Sequence, residues 1–360
     1  MIAHVPKRQL TDALGSVERI VPNRSSNPNL SLVKLELADN HLTLSGSNLD
    51  IDIQASVAVD TGATGSWALP AQVFSQVVRA LPGELVELSF GDTELELQSG
   101  AYATKLGLVD ATLPSLSFPE SYSGSFSGER LADALTHVRY AAAVAEYQAI
   151  FRGVRLEFSD RHVRAVATDG FRLAYYHMDE VSGLDGAVVL PARSVDELTK
   201  LLAGETRLEL SDGQLSLESG PYKINLKLME GTFPDYGRVI PGTFPVSVVG
   251  SAKELLEGVQ RVAVMADRTA NNRVDLFVRG GTVQVTAEGA YGQAQEALAV
   301  SQEGSESEIA LAYNADYLMN ALRPIGGEVR FSFSGSTSPS VMSSLQDPSY
   351  LAMVVPLRTG

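Results

Sequence analysis

Apolar positions recur with helical spacing in three stretches that match one another. In KRQLTDALGSVERIV they are Leu10, Ala13, Leu14, Val17, Ile20 and Val21; in GERLADALTHVRYAA, Leu131, Ala134, Leu135, Val138, Ala141 and Ala142. In AKELLEGVQRVAVMA they are Leu255, Gly258, Val259, Val262, Met265 and Ala266. Each set has the offsets 0, 3, 4, 7, 10 and 11, one face of a helix. The starting points lie 121 and 124 residues apart. A second helical set begins at Leu69, Leu190 and Tyr313, 121 and 123 apart. Each member ends near a glycine that can stop it (Gly83, Gly204, Gly326), and two open on a proline.

Strand-like runs keep the same period. LTLSGSNLDIDI from Leu42, VRAVATDGFRLA from Val163 and VQVTAEGAYGQA from Val283 are 121 and 120 apart. SGAYATKLGLVDATLPSL from Ser99 answers SGPYKINLKLMEGTFPDY from Ser219, matching Pro114 with Pro234, while the third copy ends in YLAMVVPLR. Alternating runs such as 85–90 and 208–211 predict half-buried strands. Four features at one period predict three tandem copies of an α+β unit, two helices packed on sheets in each. Pro, Gly and Ser cluster near Gly124 and at 241–244, so the expected domains are 1–122, 123–244 and 245–360.

Composition narrows the class. The 360 residues are 44% hydrophobic and 20% charged, with no cysteine. Disulfides and thiolate metal sites are excluded. No run approaches the roughly 20 apolar residues of a membrane span, and Lys7 and Arg8 precede a polar-faced helix rather than a signal peptide. A cytoplasmic protein without membrane contact is expected. The net charge of −15 excludes a uniformly basic protein that coats nucleic acid. The distribution is uneven, however. Helices expected at 7–21, 70–81, 128–146, 191–203, 252–268 and 315–324 hold twelve basic and eleven acidic residues, a net of +1, which leaves −16 elsewhere. Such asymmetry points to a helical surface facing a polyanion, held loosely.

Catalytic chemistry finds little support. Asp50 and Asp52 pair at i, i+2 on a surface strand, and His4, His41, His137, His162 and His177 show no metal-ligand spacing. Gly124-Ser125-Phe126-Ser127-Gly128 has Phe where a nucleophile elbow needs Ser, and reads as a linker. No Walker loop or GxGxxG occurs, and Trp67 stands alone without aromatic interleaving. No catalytic residue, metal or cofactor is therefore expected. The alternatives are an enzyme with a diffuse site of Asp50, Asp52 and His177, or a monomeric repeat scaffold that binds proteins but no nucleic acid.

Three segments carry a family resemblance: Ala167-Thr168-Asp169-Gly170-Phe171-Arg172-Leu173-Ala174, Gly231-Thr232-Phe233-Pro234-Asp235-Tyr236-Gly237-Arg238-Val239-Ile240-Pro241, and Met353-Val354-Val355-Pro356-Leu357-Arg358. With the triplication, the chain resembles the bacterial β sliding clamps, the processivity subunit of DNA polymerase III. The resemblance implies a DNA-clamp fold, each chain half of a six-domain ring closed as a head-to-tail homodimer around duplex DNA. It also implies partners that share one groove: the polymerase III catalytic subunit, an ATP-driven clamp loader, other polymerases and repair proteins. Their short motifs carry Leu and Phe anchors.

Carried over by residue, the groove comprises Phe151, Thr168, Gly170, Phe171, Arg172, Leu173, Pro234, Arg238, Val239, Ser340, Met353, Val354, Val355, Pro356, Leu357 and Arg358. Val239, Val355, Pro356 and Leu357 would be apolar walls, and Arg172 and Arg238 donors to the peptide. DNA-facing candidates are Arg24, Arg79, Arg139, Arg193, Lys200 and Arg268; the subunit interface would place Val264 and Met265 against an edge strand at Thr104 and Leu106. Two departures stand out. Phe171 occupies a position that is His in some members, and Ala149 and Ile150 stand where some have paired tyrosines, with Tyr147 out of register.

Overall fold

The structure, a computed structural model, describes every residue except 112, 114, 145–148, 212 and 359–360. The Pro114 match, Glu146 and Tyr147 lie outside the described residues. The chain divides into two compact units: 1–132 with 182–184 and 193–228, and 133–181 with 185–192 and 229–360. Each unit contains one large and one small antiparallel sheet.

In the first unit the eight-stranded sheet runs, in spatial order, Gly65–Pro70, Leu32–Ala38, His41–Ser47, Ile51–Ala58, Tyr222–Lys227, Gln214–Ser219, Glu205–Ser211 and Gly124–Ser127. The four-stranded sheet runs Ile2–Pro6, Leu85–Phe90, Glu94–Ser99 and Tyr102–Gly107. In the second unit the nine-stranded sheet is Gly186–Pro191, Gly153–Phe158, Val163–Thr168, Arg172–Met178, Tyr350–Val354, Ser340–Ser344, Glu328–Phe333, Val246–Ser251 and Ser301–Gly304. Its four-stranded sheet is Gly292–Ala299, Thr282–Gly289, Arg273–Arg279 and Glu308–Asn314. The strand stretches that repeat in the sequence are hairpins, each folding at its Asn-Leu-Asp, Asp-Gly-Phe or Ala-Tyr turn.

The described residues form six α-helices: α1 (Lys7–Ile20), α2 (Ala71–Ala80), α3 (Gly128–Arg139), α4 (Ala192–Leu198), α5 (Ala252–Ala263) and α6 (Ala315–Leu322). The apolar stripe of α1 is buried from Leu10 to Ile20, and that of α3 from Leu131 to Val138. Gly258 sits on the stripe of α5 because a Cβ there would come within 2.7 Å of Leu298, so the helix can lie close on its sheet. Ser251 and Asn314 cap α5 and α6, their side chains accepting from Glu254 N–H and from Asp316 and Tyr317 N–H.

All six helices end before their expected bounds, and α3, α4 and α5 do so by five residues or more. After α3, Ala141 and Ala142 donate to residues three back, and Ala143 N–H turns away to Phe151 O at 2.8 Å. After α5, Met265 and Ala266 likewise bond three residues back, and Asp267 starts a new 3-10 turn at Arg268–Ala270. Met265 thus leaves the buried face. After α4 the chain continues as a bonded turn through Leu201. Within the observed bounds the helices carry nine basic and nine acidic residues, so their net charge is zero rather than +1. The 124–128 segment is also not a linker: Gly124–Ser127 is a sheet edge with Phe126 buried. Asp50 lies in a turn and Asp52 on the following strand, so they do not pair along one strand.

The copies are joined by strand pairing. Ile51–Ala58 of the first copy pairs with Tyr222–Lys227 of the second, placing Ile53 opposite Ile224, both fully buried. Arg172–Met178 of the second pairs with Tyr350–Val354 of the third, Ala174 opposite Ala352. No described helix is long and apolar enough to cross a membrane. Ile53→Ala is expected to cost about 2–5 kcal/mol, whereas Lys105→Ala on an exposed edge should stay within about 0.5 kcal/mol. Urea unfolding followed by the fluorescence of Trp67, stacked on Phe90 in the same unit, measures both.

Candidate functional site

The Asp-Gly-Phe turn of the second copy is fixed by its own side chains. Gly170 has φ +90°, a conformation that side chains disfavour. Asp169 Oδ1 accepts from the N–H of Phe171 (2.9 Å) and of Arg172 (3.0 Å). Thr168 Oγ1 donates to Arg172 O at 2.7 Å and accepts from Gly170 N–H. The turn leaves the Phe171 side chain 63% exposed. Phe171 O accepts from Val355 N–H at 2.9 Å, which ties the C-terminal segment to the turn.

Strand alternation then assigns the neighbours to opposite faces. Leu173 lies opposite Thr168 on one side and Met353 on the other, so all three share a face. There Leu173 and Met353 join Val166, Val189, Phe233 and Val341 in one apolar cluster, with Tyr236, Ile240, Tyr175 and Ile150 packed against it. Val239, 49% exposed, Pro234 and Arg238 come from the segment after Phe233, and Phe151 from the 3-10 turn Ala149–Arg152. Arg238 Nε pairs with Asp235 at 2.7 Å and stays largely in solvent. Val355 and Leu357 are half-buried, Pro356 buried and Arg358 exposed.

Several residues assigned to the groove are not accessible. Thr168, Leu173, Met353 and Val354 are buried within the sheet; Ser340 is fully buried, its Oγ 2.5 Å from Tyr313 Oη. Arg172 is the clear correction. It lies on the opposite face from Leu173, 9% exposed, with Nε donating to Asp169 Oδ2 at 2.9 Å. Its guanidinium stands 4.5 Å from the Tyr317 ring and 5.6 Å from that of Tyr140. Nε is thus committed to Asp169, and the side chain lies away from the face that holds Leu173 and Met353.

Conversely, Val166, Phe233, Tyr236 and Ile240 belong to the cluster and were not assigned from the sequence. Their signal was present: Val166 is two residues from Thr168, and the others lie inside the quoted Gly231–Pro241 motif. Beside the cluster, Tyr236 Oη donates to Glu157 at 2.8 Å, and burial with that bond pushes the phenol pKa up. Desolvation, then Arg164, lowers the pKa of His162 in the turn before Val163–Thr168. No group of three or more His, Cys, Asp or Glu among the described residues is placed to hold a metal.

The basic candidates have mixed fates. Arg79 pairs with Glu18, Lys200 with Glu197 at 2.8 Å, and Arg139 Nε donates to Ala192 O at 2.8 Å. Arg24, Arg193 and Arg268 are exposed. Ile150, at one of the paired-tyrosine positions, packs toward the apolar cluster. Val264 and Met265 are exposed at 77% and 37%. Thr104 and Leu106 lie on Tyr102–Gly107, the outer strand of its sheet, as Gly292–Ala299 is of another.

Comparison with known proteins accounts for this architecture over the whole chain. Family models of the DNA polymerase III beta subunit match as its N-terminal domain at residues 1–120, its central domain at 125–235 and its C-terminal domain at 237–358. A beta sliding clamp of Caulobacter vibrioides is 30% identical over 374 residues, 98% of this chain and 99% of the relative. One of Pseudomonas aeruginosa is 27% identical over 369 residues, again 98% and 99%. Among solved structures, the P. aeruginosa sliding clamp (DNA polymerase III subunit beta) bound to griselimycin superposes with a TM-score of 0.93 at 26% identity, both chains fully covered. The DNA polymerase III beta subunit of Thermotoga maritima gives 0.92 at 25% identity, also with full coverage. Three clamp domains in tandem, each with helices on antiparallel sheets, are thus established, and the chain belongs to the DNA polymerase III beta subunit family, the bacterial beta sliding clamps.

Proposed function

We propose that two copies of this chain join head to tail through Tyr102–Gly107 and Gly292–Ala299, closing a ring of six clamp domains that holds duplex DNA topologically. The observation that carries this reading is the repeated joining strand. Ile51–Ala58, Arg172–Met178 and Gly292–Ala299 are the same strand of the three copies; the first two are paired with a following copy, and the third is an outer edge. Tyr102–Gly107 matches Tyr222–Lys227 at an offset of 120 and is the complementary outer edge. Unpaired edges invite pairing, and a head-to-tail contact that closes makes a ring. Val264 and Met265, exposed just past α5, would supply apolar cover beside the new pairing. The domains would be 1–122, 123–244 and 245–360.

Such a ring needs no tight phosphate clamp. Helices with zero net charge, in a chain of −15, offer few counterion-releasing contacts. Arg24, Arg193 and Arg268 are the exposed cations best suited to touch DNA, with Arg79, Arg139 and Lys200 more committed to the protein itself. The chain would act as a non-catalytic, cytoplasmic tether. The polymerase III catalytic subunit, the loader, other polymerases and repair proteins would dock by short motifs on the cluster flanked by Phe171, Val239 and Leu357, with Leu173 and Met353 as its floor.

In sedimentation the chain should run as a dimer near twice 38.4 kDa, and Met265→Asp should convert it to monomers, since burying an unpaired carboxylate costs several kcal/mol. A dimeric mutant would contradict this interface. Carrying the Ile53–Ile224 pairing through the repeat puts Thr104 opposite Ala294 of the partner. In this cysteine-free chain, Thr104→Cys with Ala294→Cys should give a covalent dimer on oxidation that stays on nicked circular DNA and slides off when the circle is cut. Loss at the same rate from both forms of DNA would rule out encirclement. For the groove, Val239→Asp should weaken a fluorescein-labelled peptide with a Leu-Phe pair at least tenfold while the dimer survives. Removing residues 355–360 should do the same, whereas removal from Met353 takes out a buried strand end and should unfold the sheet.

A further inference from the structure

We infer that Arg172 is the positioning residue of the groove, acting from the helix side of the sheet to hold the Asp-Gly-Phe turn, and with it Phe171 and the C-terminal segment, in one geometry. The inference rests on the groove reading above and deepens it. Asp169 connects the two sides. Its Oδ1 accepts from Phe171 and Arg172 N–H, while its Oδ2 accepts from Arg172 Nε at 2.9 Å, and both side chains are only 10% exposed. The carboxylate can organise the turn only while it is itself held, and a buried charge-assisted bond is the strong kind.

Arg172 is held in turn by two rings. Tyr317 belongs to α6, and Tyr140 follows the end of α3. Tyr140 Oη lies 2.8 Å from Tyr350 Oη, which donates to Ala321 O in α6. The guanidinium is therefore seated against two rings, that of Tyr140 hydrogen-bonded through Tyr350 to α6, and the turn is fastened to it. From the turn the order passes to the ligand side: Phe171 O holds Val355 N–H, and the chain beyond carries Pro356 and Leu357. A lysine would keep the charge but lose the planar fork and the stacking.

The test uses the full chain and two fluorescein-labelled peptides with a Leu-Phe pair, one with an adjacent Asp and one without. Arg172→Met and Asp169→Asn should each weaken both peptides at least tenfold and by the same factor, and Arg172→Lys should recover only part of that. Without peptide, hydrogen exchange at 169–172 and at Val355 should accelerate at least tenfold in all three, with the dimer and exchange in Gly153–Phe158 unchanged. A loss confined to the Asp-bearing peptide would make Arg172 a direct ligand contact and overturn the inference. So would unchanged exchange at the turn while wild-type binding is normal. Failure of the wild-type chain to bind either peptide would instead remove the groove reading itself.

Discussion

Continuous main-chain hydrogen bonding between copies is the constraint on which the rest of this molecule depends. An antiparallel edge is a row of unsatisfied donors and acceptors, and pairing it with the next copy satisfies the row and extends the apolar faces on either side. The chain does this twice, at Ile53–Ile224 and at Ala174–Ala352. The central copy is thereby drawn in two directions, one of its sheets continuing the first copy's and the other the third's. Its residues accordingly fall in both compact units. The domain is a unit of sequence; the compact body is set by the sheets that cross its borders.

Much of this was legible in the chain, because helix stripes and hairpins repeat at a fixed distance and a repeat is insensitive to errors in any one element. The apolar stripe of α1 was read from Leu10 to Ile20, although the buried Ser16 on the same helix was missed. Helix ends were not legible. The pattern Met265-Ala266 continues the stripe of α5, yet three-residue bonds and the cap of Asp267 stop the helix first. The same tightening ends α3 before Ala141 and Ala142, which stay buried although they are no longer helical. Periodicity reports which residues face the core, and a tight turn can keep them there without a helix.

The site shows a second kind of limit. A contiguous motif names neighbours, and a strand places neighbours on opposite faces. Gly170 and Phe171 could be assigned from sequence because a turn is local. Arg172 and Leu173, one residue apart, serve different sides of one sheet, and only the pairing with Tyr350–Val354 reveals which is which. The cluster members Val189, on the next strand along the chain, and Val341, far away in sequence, belong to no quoted motif, and it is the sheet order that gathers them.

The repeat also explains why one such groove is expected in each chain and not two. Shifting by the repeat and following the strand register, the cluster Val166, Leu173, Val189, Val341 and Met353 corresponds in the first unit to Ser45, Asp52, Ala68, Ser216 and Asn225. An apolar floor has become a polar one. Ser216 Oγ donates to Asn225 Oδ1 at 2.8 Å, and Asn225 Nδ2 donates to Ser117 O at 3.0 Å, so the chain's own segment satisfies the buried amide. A Leu or Phe anchor placed there would bury no matching surface and would have to break those bonds, leaving buried polar groups unpaired at a cost of about 1–3 kcal/mol each. The same backbone thus has two uses. Where the floor is polar, the chain's own segment at Ser117 satisfies it, and where it is apolar, with the turn held by Asp169, it would serve as the proposed groove.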